Sequence, residues 1–165
     1  MKLFRFGALI VVSLITYLSN TPHLMVSHIH TWINSSQYEH VTLYDVFKKG
    51  SPFYQPWGGD RSIEFYLHKL GHFTFYGSLA IFLFWKSSSF KKTVLKLILI
   101  AGFAFLDEVH QFFIVGRSGR LMDVAFDIFS VICFLILISI LESIFKFIKY
   151  IFKEKEFRKN RQSSY

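Results

Sequence analysis

A single cysteine, Cys133, stands in this chain of 165 residues, in the middle of an apolar run. One thiol excludes a disulfide framework and any cysteine-built metal site, and its setting points to a small packed apolar residue. Proline is also scarce: Pro22, Pro52 and Pro56 are the whole complement, and all fall between positions 19 and 62. Acidic residues are few, 11 against 19 Lys and Arg, for a formal net charge of +8. The basic residues gather at the start, in a mid-chain stretch and in the tail. That distribution reads as membrane topology, and no nucleic-acid partner is expected. No compact H-E-x-x-H motif and no serine nucleophile elbow is present. The common sequence signatures of a metalloprotease and of a serine hydrolase are therefore missing.

What the chain has instead is apolar sequence in long blocks. Hydrophobic residues make up 52% of it and 21 are phenylalanine, more than a soluble domain of this size has core to hide. The first block runs from Leu3 to Leu18, after Lys2 and interrupted by Arg5. The Ser19-Asn20-Thr21-Pro22 that follows lacks a small-x-small cleavage pattern, so a retained first helix is expected. Residues 19–62 form a polar loop rich in turn formers, of a length that is usually functional or locally structured. Its Trp32, Tyr38, Tyr54 and Trp57 suit a headgroup region, and its His23, His28, His30 and His40 suit solvent or the interface. The second block spans Phe65 to Trp85, with His68, Lys69 and His72 early and no charge from Phe73 onward. A basic stretch from Lys86 to Lys92 follows. The third block begins near Thr93, with Lys96 placed to snorkel, and carries Asp107, Glu108, His110 and Gln111 in its second half. The fourth is introduced by Gly116-Arg117-Ser118-Gly119-Arg120, holds Asp123 and Asp127 early, and is purely apolar from Ile128 to Leu141.

These blocks predict an all-α polytopic membrane protein with about four transmembrane helices. The domain is placed at 1–145, its central part at about 65–140, with a basic cytoplasmic tail over 146–165. With the N-terminus inside, 13 of the 19 Lys and Arg fall on the cytoplasmic side. The preference of Lys and Arg for short inner loops therefore selects N-in/C-in. A consequence follows for the polar residues: the polar start of helix two, the polar end of helix three and the polar start of helix four all land on the outer side.

An ionisable group within a span costs a few kcal/mol, about 2.5–3.5 on insertion scales, and so seeks a partner or a wet cavity. Helical spacing puts these groups on shared faces: His68 with His72, Asp107 with His110 and Gln111, and Arg120 with Asp123 and Asp127. Both signs are present, so a mutually paired network is expected, serving either as a ligand site or as interhelical glue. The candidate ligand-binding cluster comprises His68, Lys69, His72, Asp107, Glu108, His110, Gln111, Arg117, Arg120, Asp123 and Asp127. Gly116 and Gly119 are read as a tight turn aiming Arg117 at the outer surface, toward a phosphate or carboxylate; pairing with Asp123 or Glu108 is the plainer alternative. His68, His72, His110 and Glu108 offer an N/O set for zinc, but from different helices, and no metal or cofactor is assigned.

The ordered set His68-Lys69-x-x-His72-Phe73, Asp107-Glu108-x-His110-Gln111-Phe112, Gly116-Arg117 and Asp123-Val124-x-x-Asp127 resembles the VanZ-like family of bacterial membrane proteins. The resemblance covers roughly residues 65–140. It implies a cell-envelope protein of Gram-positive type, and the founding member is linked to low-level resistance to the glycopeptide teicoplanin. His72, Asp107, Glu108, Gln111, Arg117, Asp123 and Asp127 are the residues it carries over, and it brings no established reaction. The expected function is a cell-membrane protein, with lipids around it and a cell-wall precursor or lipoglycopeptide as ligand. Two alternatives stand beside it: an enzyme using Glu108 or His110 on a lipid-linked envelope precursor, and a small transporter. The enzyme reading lacks a fixed substrate, and the apolar inner halves of all four blocks disfavour transport. A non-catalytic binding role is preferred, and the oligomeric state is left open.

Overall fold

The computed structural model describes residues 2–59, 62–84 and 89–162. Arg61, Trp85 and Lys86, each part of the topology argument, lie outside these residues. The described chain is all helical. Its long helices are α1 (Lys2–Ser19), α3 (Ile63–Phe84), α4 (Phe90–Gln111) and α5 (Leu121–Gln162), with a single helical turn, α2 (Leu43–Phe47), in the loop between α1 and α3. The four long helices coincide with the four apolar blocks. Proline is absent from all four, so no i to i−4 hydrogen bond is interrupted by a missing amide. α5 continues without a break past position 145 and reaches Gln162, some 63 Å of helix at 1.5 Å per residue.

The helices pack through one stripe each. Ala8, Val11 and Ile15 of α1 recur at helical spacing and meet Tyr76, Leu79, Ala80 and Phe84 of α3; Ile100 and Ala104 of α4 and Val124 and Val131 of α5 complete the core. α3 is central, packed along α5 on one flank and α1 on the other, while α4 leans on α5. Close approach is set by a small residue against an aromatic ring. Gly77 of α3 sits on the Phe134 ring of α5, and Gly7 of α1 on the Phe82 ring of α3; a Cβ on either glycine would collide with that ring. Cys133 is free and half-buried.

The opposite faces stay apolar and uncovered. Leu9 of α1, Leu106 of α4 and Phe145 of α5 are 64%, 66% and 73% exposed, amid many similar side chains. Among the described residues one helix is both long and apolar enough to cross a bilayer, α5 over Leu121–Glu154, with mean hydropathy 2.8. α1 is a shorter apolar helix. α3 and α4 are diluted by the same polar groups that make them interesting: His68, Lys69 and His72 in one, Lys96, Asp107 and Glu108 in the other.

The loop of residues 20–59 is structured and folded back on the helix ends. Short 3-10 turns form at Ile29–Ile33 and Pro52–Tyr54. Val46 and Phe53 are fully buried, and Phe47 and Phe53 pack against Phe105 of α4. The loop also pairs with the connection between α4 and α5. Glu39 N–H donates to Phe113 O at 2.7 Å, Val115 N–H to Gln37 O at 3.0 Å and His23 N–H to Val115 O at 3.1 Å. These bonds satisfy backbone groups of the loop and of the connection that no helix pairs. The four loop histidines, His23, His28, His30 and His40, are all exposed.

Candidate functional site

α4 ends in a short polar sequence whose spacing fixes its local contacts. Asp107 and Gln111 are one turn apart, as are Glu108 and Gln111, so the Gln111 amide reaches both carboxylates. The two N–H groups of its Nε2 face three acceptors, Asp107 Oδ2 at 3.0 Å, Glu108 Oε1 at 3.3 Å and Ser19 Oγ at the end of α1 at 3.3 Å, and are shared among them. Asp107, Glu108 and Gln111 are all buried. Tyr76 of α3, 1% exposed, directs its hydroxyl to Asp107 Oδ2 at 3.4 Å.

The connection to α5 then turns back over these groups. Gly116 adopts φ +70°, and a Cβ there would strike the His23 ring, while one on Gly119 would strike the Glu108 backbone carbonyl. Both close approaches require glycine. The turn brings Arg120 N–H to Glu108 Oε2 at 3.0 Å. It also sends Arg117 inward, not to the outer surface as its flanking glycines suggested. Arg117 Nη2 donates to Gln111 Oε1 at 2.7 Å, and its Nε and Nη1 are buried with no hydrogen-bond partner among the described residues. Neither anticipated carboxylate pairs with it, because Glu108 is held by Gln111 and the Arg120 amide, and Asp123 has other donors. Burial pulls the Arg117 pKa down from its ordinary value, while Glu108, Asp107 and Asp123 pull it up. A guanidinium remains charged under such opposing influences.

α5 contributes Asp123 and Asp127, one turn apart on the face toward α3. Asp123 accepts from Lys69 Nζ at 2.5 Å, a pair with side-chain exposures of 12% and 8%, and from the Trp57 indole of the loop. Lys69 Nζ also lies over the Trp57 ring, 5.1 Å from its centre. Arg120 Nη1 donates to Pro56 O at 2.9 Å. One turn deeper, His72 Nδ1 lies 3.0 Å from Asp127 Oδ1 and 3.9 Å from Glu108 Oε1. Asp127 is fully buried, and its Oδ2 has no hydrogen-bond partner among the described residues. His68 lies beside His72, ring centres 4.9 Å apart.

Two cavities open among these groups. The polar one, about 410 Å³, is lined by His68, Lys69, Gln111, Arg117, Arg120 and Asp123, with Trp57, Leu24 and Met25 of the loop. The second, about 80 Å³, runs between α1 and α3, and Ile15, Leu18, Trp32, Phe75 and Tyr76 are among its walls. Leu24, His68 and Arg117 belong to both.

Ten of the eleven sequence candidates thus share one region where α3, α4 and α5 meet. His110 does not join them. Its Nε2 is 3.2 Å from Asn20 Oδ1, and its ring packs beside Tyr38 of the loop. The zinc set considered from sequence therefore loses His110, while His72 and Glu108 gain Asp127 as a neighbour. Sequence reading passed over Tyr76, Ser19 and Glu64. Tyr76 follows His72 by four residues and so shares its face, a signal that was available. Ser19 at the end of α1 carried none. Glu64 accepts from Val26 N–H and from the Ser27 amide and hydroxyl, at 3.2 and 2.6 Å for Ser27, and so ties the loop to the start of α3.

No curated protein and no solved structure matches the chain. A family model described as VanZ/LLP1 matches residues 4–142, a span that takes in all four apolar blocks and every member of the polar cluster. With the greater part of its length covered by that model, the chain belongs to the VanZ/LLP1 family.

Proposed function

We propose that this is a multi-pass cell-envelope membrane protein that binds the anionic headgroup of a lipid-linked ligand and so contributes to low-level glycopeptide (teicoplanin) resistance. In this reading α1, α3, α4 and α5 span the bilayer with both termini inside, residues 146–165 extend into the cytoplasm, and the polar cavity faces outward. Support for the topology comes from the Lys and Arg distribution and from the uncovered apolar faces of the long helices.

The observation that carries the ligand reading is the junction of two unlike cavities at Arg117. A buried guanidinium with two unused donors suits a phosphate or carboxylate, which it engages through parallel hydrogen bonds. The polar cavity has the volume of a small-molecule site, and the apolar cleft beside it suits the first part of a hydrocarbon chain. An amphiphile fits both; a free sugar or a free ion uses half of the arrangement. Lys69 and Arg120 are already engaged by Asp123 and Pro56, which leaves Arg117 as the anchoring cation and the others as the rim.

The test compares a sensitive Gram-positive host expressing wild type, Arg117→Ala or Glu108→Gln at matched membrane levels. Wild type is expected to lower teicoplanin susceptibility and both variants to lose that effect. Purified wild type in nanodiscs is expected to retain a single-chain lipid phosphate, measured by native mass spectrometry, with Arg117→Ala weakened by a factor of roughly 10–100 as a charged hydrogen-bond partner of about 1.5–3 kcal/mol is lost. The host's lipid-linked precursor profile is expected to stay unchanged on expression. Equal binding by wild type and Arg117→Ala would remove Arg117 from the reading; a new precursor species would turn the protein into an enzyme.

A further inference from the structure

At His72, which also lines the smaller cavity, two carboxylates from different helices converge on one imidazole. His72, Glu108 and Asp127 each present a donor atom, and these atoms lie within 4.8 Å of one another. The 3.0 Å from His72 Nδ1 to Asp127 Oδ1 matches the edge of a coordination polyhedron, and the 3.9 Å to Glu108 Oε1 is longer, so that Glu108 must move inward by a few tenths of an ångström to share one ion. Bonds of about 2.0–2.2 Å to nitrogen and oxygen put adjacent ligand atoms some 3–3.5 Å apart. One N–H on His72 satisfies one carboxylate oxygen, and among the described residues Asp127 Oδ2 is left buried without a donor. A buried carboxylate oxygen left so is costly, and in a native structure it calls for a missing partner.

The surroundings are those of a ligand set held from behind. Glu108 is fixed by Gln111 Nε2 on Oε1 and by the Arg120 amide on Oε2. His72 is packed between the rings of His68 and Tyr76, the latter stacked at 18°. Outer contacts of this kind orient metal ligands in many proteins. One imidazole with two carboxylates is a mixed set that suits manganese or zinc and lacks the thiolates that would restrict it to softer ions.

We propose that His72, Glu108 and Asp127 bind one divalent first-row cation, with manganese(II) the ion best matched to a donor set dominated by carboxylates. The ion engages the Asp127 carboxylate, whose Oδ2 has no other partner among the described residues, and links α3, α4 and α5 one helical turn below the polar cavity. It also adds positive charge one helical turn from His68, which lines both cavities, and so favours an anion there. The site itself does not depend on the lipid-ligand reading; that last consequence does.

The experiment uses full-length protein in detergent, purified on a histidine-free tag, stripped with chelator and dialysed against manganese(II). Elemental analysis is expected to find about one ion per chain, with electron paramagnetic resonance reporting an immobilised ion. Glu108→Gln and Asp127→Asn are each expected to fall below a tenth of the wild-type content, while Asp45→Asn, in the outer loop, keeps it. Circular dichroism checks that each variant retains its helices. The proposal fails if stripped wild type takes up no manganese, or if both cluster variants bind as much as wild type. Lipid phosphate binding, measured on stripped and loaded protein, separates the two readings. Manganese bound with no lipid retained keeps the metal site and rejects the lipid reading; lipid retained by a protein that takes no metal does the reverse.

Discussion

Asp123 and Lys69 are 54 positions apart in the chain, yet they form a buried pair, and this is where single residues count most. The carboxylate also accepts from the Trp57 indole, and the ammonium lies over the same ring. Removing one member of such a pair leaves an uncompensated buried charge, whereas removing both removes the burial cost along with the attraction. Lys69→Met is therefore expected to lower stability by about 3 kcal/mol, toward the small end of the range for breaking a buried pair, because Trp57 still donates to Asp123. Lys69→Met combined with Asp123→Asn is expected to recover most of that loss. Thermal unfolding of the single and double variants in one detergent measures the coupling; additive losses would mean that the pair is not formed. Every residue of this pair was visible in the sequence as a candidate, but their mutual choice was not, because helical spacing orders residues within a helix only.

At the scale of the element, α2 shows how a short piece of helix persists in a loop. Asp45 turns back to the Thr42 amide at 2.8 Å and hydroxyl at 2.7 Å and forward to Lys48 Nζ at 2.9 Å, capping a single turn that is too short to stand alone. The Thr42 hydroxyl foremost, then Lys48 and the Thr42 amide, hold the Asp45 carboxyl well below the usual carboxylate range. The folded pKa lies below the unfolded one, so the contribution is complete above about pH 4, near the unfolded value, and is lost as pH falls toward the folded value. Amide protection of residues 43–48 by hydrogen exchange is expected to hold at pH 6 and decline at pH 3, and Asp45→Asn is expected to flatten that difference. A pH-independent wild type would detach α2 from its cap. The long helices need no such device to be legible. Their apolar runs, their freedom from proline and the polar sequences at 107–111 and 116–120 mark them directly, whereas α2 carries five residues and no periodicity to recognise.

For the whole molecule, the arrangement of charge makes a topological statement. The polar cluster sits where the start of α3, the end of α4 and the start of α5 meet under the loop of residues 20–59, and the basic tail lies at the far end of α5. In a Cys133→Ser background, Ser118→Cys is expected to react with an impermeant maleimide on intact cells, and Lys153→Cys only after permeabilisation. Both side chains are exposed. The opposite pattern would reverse the orientation and with it the outward-facing site, leaving the helix packing unaffected.

By itself the sequence determined the long helices, the apolar surfaces and most of the polar cluster, His110 and Tyr76 being the exceptions, because these follow from composition and from the 3.6-residue period of one helix at a time. Relative rotation and register between helices are different quantities, set by such contacts as Gly77 on Phe134 and by the loop folded over the helix ends. Only the tertiary structure could turn Arg117 inward to Gln111, divert His110 to Asn20, and bring Asp127 to His72 beside Glu108. Those choices rest on close packing between surfaces distant in sequence, where a shift of one turn exchanges every partner.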